Sequence, residues 1–144
     1  DLIAAIAPVA GHFRSARAAL RRPVPALLLF GQVDPLSPFE GGPVDLPWGG
    51  REERPPARAS AVAWARLLGL GEEPVTVVAR DGVTTETFGP DTSGHEVIFC
   101  AISDLGHVWP GGHRLLPEKI AGRESNRVHA TAMIWDFFGR HPLP

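Results

Sequence analysis

Glu96-Val97-Ile98-Phe99-Cys100-Ala101-Ile102-Ser103-Asp104-Leu105-Gly106-His107-Val108-Trp109-Pro110-Gly111-Gly112 is the stretch on which the reading of this chain turns. Its first part is apolar at consecutive positions, the pattern of a strand covered by helices on both faces of its sheet. Its second part is a glycine-bounded loop that sets one imidazole past the end of that strand. Histidine titrates near neutral pH, so an exposed one at a strand end is placed to accept and return a proton. That work needs a carboxylate to orient the ring and a group for the ring to activate.

A second stretch of the same design supplies the carboxylate. Ala26-Leu27-Leu28-Leu29-Phe30 is again apolar on both faces and is entered through Pro25, a position where a strand tolerates a missing N–H. Gly31-Gln32-Val33-Asp34-Pro35 follows it, so Asp34 stands just past a strand end, as His107 does. Ligands of open α/β sheets gather outside the carboxyl ends of the strands, which places both side chains on one edge. Taken singly, Asp34 reads as a turn residue before Pro35 and His107 as a surface histidine. Their pairing is what points to catalysis. Asp104 is closer in sequence, but it shares the loop of His107 and reads as a hydrogen-bonding residue of that loop.

Working outward, Ile3 to Val9 is apolar on both faces and reads as a core strand covered on either side, closed by Gly11. His12 to Arg22 has the composition of a short helix stopped by Pro23, with Arg14, Arg17, Arg21 and Arg22 on a solvated face. Gly31 to Arg54 holds glycines and prolines too closely spaced for regular structure, and long loops of this kind are usually functional or disordered. Pro55 and Pro56 open a helix in which Ala61, Trp64, Ala65 and Leu68 form one buried face, with Gly69 as its stop. Val75–Ala79 and Thr84–Phe88 flank Asp81-Gly82, a hairpin turn signal. Ser125 or Asn126 is placed to cap a final helix whose Val128, Ala132, Trp135 and Phe138 line one face. The alternation of strands and helices predicts an α/β domain, or part of one, over residues 1–144, with a mostly parallel sheet flanked by helices.

Composition narrows the function classes. A net charge of −2 and the absence of a basic stripe argue against nucleic acid as a partner. Cys100, the single cysteine, lies in an apolar run, which rules out an internal disulfide or a cysteine zinc cluster and predicts a small buried hydrophobe. No run approaches the roughly 18 apolar residues of a membrane span. His107 and His113 lack zinc-ligand spacing, and neither a metal nor a cofactor is expected. His12, His95, His129 and His141 have no supporting constellation and read as surface or packing residues.

A carboxylate and a histidine at one sheet edge are two members of a Ser-His-Asp triad, in which the acid fixes the imidazole tautomer and stabilises the imidazolium. The chain resembles the esterases that include polyhydroxybutyrate depolymerases and feruloyl or acetyl xylan esterases, within the α/β-hydrolase fold. The resemblance spans nearly the whole chain. Asp1 to Gly11 is similar to the segment after the nucleophile helix, and Phe30 to Gly42 to the acid motif H-G-T-x-D-x-x-V-P-Y-x-G-G. Gly106-His107-Val108-Trp109-Pro110-Gly111 is similar to the histidine motif G-H-x-W-P-G. Phe30, Ser37 and Phe39 replace the family's His, Val and Tyr, and Leu70 and the Asp91–Ser93 turn stand where many members place a cysteine pair.

The resemblance implies that Asp34 and His107 are catalytic in a serine esterase acting on polyhydroxyalkanoate, feruloyl or acetyl esters; Trp48 and Trp109 are candidates to line the ester cleft, because aromatic side chains supply much of a pocket's contact area. Trp109 reads equally as packing for the histidine loop. In this fold the order is serine, acid, histidine, with the serine on G-x-S-x-G. That motif is absent from residues 1–144, so the chain reads as the carboxy-terminal part of the domain, with the nucleophile upstream. A peptidase of the same fold and a non-catalytic binding member are the alternatives. Relatives are often secreted, but the missing cysteine pair removes the basis for assigning a compartment.

Overall fold

The computed structural model describes residues 2–14 and 20–143. Strand β1 (Ala26–Gly31) is its centre, and the alternation of its side chains builds two apolar layers. Ala26, Leu28 and Phe30 face helix α1 (Ala57–Leu67), packing with its Ala57, Ala61 and Ala65. Leu27 and Leu29 face helix α3 (Ala130–Arg140), packing with Ala130 and Phe137. Strand β6 (Val97–Ile102) lies parallel to β1 and alternates in the same way, Phe99 toward α1 and Cys100 toward α3. Burial on both faces is why these two strands are continuous apolar runs. Cys100 is fully buried, and loss of water pushes its thiol up to about 11.

The remaining elements are β2 (Gly42–Asp45), β3 (Arg51–Arg54), β4 (Thr76–Arg80), β5 (Val83–Phe88) and α2 (Glu118–Ala121). The main sheet has the order β1-β6-β5-β4. Its β1·β6 ladder is parallel, while β5·β6 and β4·β5 are antiparallel. The expectation of a mostly parallel sheet is corrected by these ladders. Asp81 and Gly82, both at positive φ, turn β4 directly back as β5. The short turn from β5 to β6 then allows only an antiparallel return, since a parallel neighbour needs a crossover of about a dozen residues or more.

On the other side of β1, Ile6 and Val9 make isolated parallel bridges to Ala26 and Leu29. The expected core strand at Ile3–Val9 is thus a half-buried, interrupted one. Ile6 N–H bonds Pro25 O and Ala10 N–H bonds Leu29 O, but Pro8 has no N–H to give between them. Of the helix expected over His12–Arg22, residues 15–19 lie outside the described residues, and residues 12–14 and 20–22 are not helical.

Three further differences have local causes. Part of the supposed irregular loop is the β2–β3 hairpin, closed by Leu46 N–H on Gly50 O; Val44 is its one buried apolar residue, too little to show as a pattern. Helix α3 starts after His129 rather than at Ser125 or Asn126, because Ser125 Oγ instead donates to Asp104 at 2.7 Å. The buried stripe of α3 is Ala130, Met133, Ile134 and Phe137, whereas Trp135 is 77% exposed. Two apolar stripes run along this helix, and the period alone does not choose between them. Among the described residues, no helix is long and apolar enough to cross a membrane.

Candidate active site

Gly31 and Ile102, the last residues of β1 and β6, are register partners, so the loops that follow leave the sheet side by side. Backbone bonds from Gln32 N–H to Ile102 O (2.9 Å) and Val33 N–H to Leu105 O (3.2 Å) lace them together. The approach leaves no room for side chains: a Cβ at Gly31 would stand 2.1 Å from Leu105 O, and one at Gly106 2.2 Å from Ala121 O. Gly106 N–H and His107 N–H donate to Arg123 O and Ala121 O, so α2, which had no sequence signal, anchors the histidine loop.

Within this frame Asp34 is 4% exposed and fully engaged. Its Oδ1 accepts the amide hydrogens of Leu36 and Ser37, both at 2.8 Å. Its Oδ2 lies 2.8 Å from His107 Nδ1. A buried carboxylate is tolerated when donors surround it, and here two amides and one imidazole do so. The Asp34 hydrogen bond raises His107 above its ordinary 6.5, with the Asp34 charge adding to it, while burial and the Arg54 charge pull the other way. His107 is half-exposed and lines a cavity of about 250 Å³ with His12, Arg14, Ser37 and Arg54. With Nδ1 committed to Asp34, Nε2 is the nitrogen left to exchange a proton with a reacting group.

Asp104 is engaged elsewhere, by Ser125 and by Arg127 Nε at 2.9 Å. Trp109 is 46% exposed and donates from Nε1 to Thr131 Oγ1 at 3.2 Å, and Trp48 is exposed on the β2–β3 turn. Neither tryptophan lines the cavity that holds His107. His113 is exposed with Glu124 at 3.6 Å, and among the described residues no cluster of three or more His, Cys, Asp or Glu could hold a metal ion.

Four cavity residues escaped the sequence reading, among them Arg14, which was placed on a solvated helix face. His12, read there as a surface or packing residue, has Nε2 2.6 Å from Ser37 Oγ and its ring 5.2 Å from that of Phe30. The signal for it was present: His12 follows Gly11 at the end of a segment running parallel to β1, the rule that singled out Asp34 and His107. Ser37 gave only a departure from a motif. Arg54 enters from the β2–β3 hairpin, which carries no apolar periodicity to announce it.

The arrangement defines a mixed α/β chain with a buried carboxylate holding an accessible histidine at the edge of its parallel strand pair. No family model matches the sequence. The chain is 36% identical over 151 residues to a protein of Nocardia uniformis subsp. tsuyamanensis named "Putative esterase NocK", a match that covers 95% of this chain and 44% of that protein. The chain therefore spans less than half the length of this relative.

Proposed function

We propose that this chain is the carboxy-terminal part of an α/β-hydrolase-type serine esterase, in which His107 is the general base and acid and Asp34 its orienting carboxylate. The observation that carries the reading is the 2.8 Å contact between Asp34 Oδ2 and His107 Nδ1, made by a carboxylate whose other oxygen is fixed by two amides. The similarity to a longer protein named as an esterase supports it.

In this mechanism a serine from the preceding part of the protein loses its proton to His107 Nε2 as it attacks the ester carbonyl. His107 then protonates the departing alcohol, and the acyl-enzyme is opened by water through the same steps in reverse. Asp34 keeps the proton on Nδ1 and stabilises the imidazolium without itself taking the proton. Oxyanion-hole amides come from the same preceding part. Polyhydroxyalkanoate, feruloyl and acetyl esters are the substrate types to assay, with Trp48 and Trp109 as outer apolar contacts for a long ester.

The test is ester turnover by the full-length protein. Asp34→Asn is expected to lower kcat by orders of magnitude, about 10⁴-fold in the serine-protease precedent. Near-normal turnover in that variant, or in His107→Ala, would remove the pair from catalysis.

A further inference from the structure

The cavity beside His107 is lined by two arginines and a second histidine. Two buried side-chain atoms among the described residues have no hydrogen-bond partner, His12 Nδ1 and Arg54 Nε, and both residues line this one cavity. Leaving a buried polar atom unpaired is costly. Charge adds to this. Arg54 and Arg14 share the carboxylate of Glu52, at 3.1 and 3.7 Å, so one negative charge faces two guanidinium groups. Asp34 does not make up the difference, because its oxygens are taken by Leu36, Ser37 and His107.

His12 fits the same picture. Burial first, then the charges of Arg54 and Arg14, hold its pKa below the ordinary imidazole value, with Asp34 opposing, so the ring is neutral at pH 7. Its Nε2 lies 2.6 Å from Ser37 Oγ, and Nδ1 carries the hydrogen in the tautomer in which Ser37 O–H donates to Nε2.

Building on the esterase reading above, we infer that this cavity receives a carboxylate, and that the ester cleaved at His107 carries a free carboxylate on a short chain near its scissile carbonyl. Arg54 and Arg14 offer guanidinium donors suited to a carboxylate. At about 250 Å³ the space suits a short acidic tail, being below the roughly 300–1,000 Å³ of pockets that enclose whole drug-sized ligands.

The experiment uses the full-length protein and two esters matched in chain length, mono(4-nitrophenyl) glutarate and 4-nitrophenyl valerate, together with calorimetric titration of glutarate. The glutarate ester is expected to have the higher kcat/KM by about tenfold, the scale of a hydrogen bond to a charged group. Arg54→Gln should bring the ratio of the two values close to unity, and Arg54→Lys should restore part of it. A ratio measured on one preparation does not depend on how much of the variant is folded. His107-dependent hydrolysis of both esters at equal efficiency would overturn the carboxylate site and leave the esterase standing. Glutarate binding that depends on Arg54, with neither ester hydrolysed, would keep the site and overturn the esterase. Absence of both binding and discrimination would end the proposal.

Discussion

At the scale of single residues, the consequence of the Asp34–His107 pair is a pH dependence with a definite sign. His107 has its folded pKa raised, so the protonated ring is favoured by folding. The stability it contributes is complete below the unfolded value near 6.5 and is lost as pH rises through the folded pKa. A general base works deprotonated, so turnover should rise with pH through a midpoint above 6.5 in the native protein. In Asp34→Asn the midpoint should fall as well as the rate, since burial and Arg54 then act unopposed. A pH–rate profile of the two proteins checks this; an unchanged midpoint would show that the carboxylate does not set the base. Asp34 and His107 were legible because each follows a two-sided apolar run and a glycine. His12 falls under the same rule, following Gly11 at the end of an apolar run, whereas Ser37 and Arg54 were not legible, because their meaning arises from separate segments meeting in space.

Among the elements, the two loops that carry the pair depend on close packing of backbone. Gly31→Ala puts a methyl group onto Leu105 O and is expected to cost about 1–3 kcal/mol, the range for overpacking, together with a loss of turnover as Asp34 and His107 part. Urea denaturation alongside an esterase assay separates the two effects. The phase of α3 gives an independent check of the fold. Phe137→Ala should cost about 3–5 kcal/mol, while Trp135→Ala should stay within about 0.5 kcal/mol. The reverse order would mean that α3 is rotated about its axis. The strands β1 and β6, helix α1 and the β4–β5 hairpin could be read from sequence, because burial on both faces, the i, i+3, i+4 spacing and Asp81-Gly82 are local signals. The phase of α3 could not, since both of its stripes are apolar and only contact with Leu27 and Leu29 selects one.

Over the whole molecule, the chain is a mixed sheet in which a parallel core pair is extended on one side by an antiparallel hairpin and bridged on the other by Ile6 and Val9. The rhythm of apolar runs conveyed that strands alternate with helices, but strand direction is set by connection length, which is why the sheet is less parallel than expected. The esterase reading proposed above places the serine and the oxyanion hole in a part of the protein that precedes this chain. The most direct test is to treat the full-length protein with a fluorophosphonate and map the modified peptide by mass spectrometry. The account predicts one labelled serine, upstream of Asp1 in a G-x-S-x-G setting, with labelling lost in His107→Ala. No label at any serine, or a label that forms equally well without His107, would contradict it.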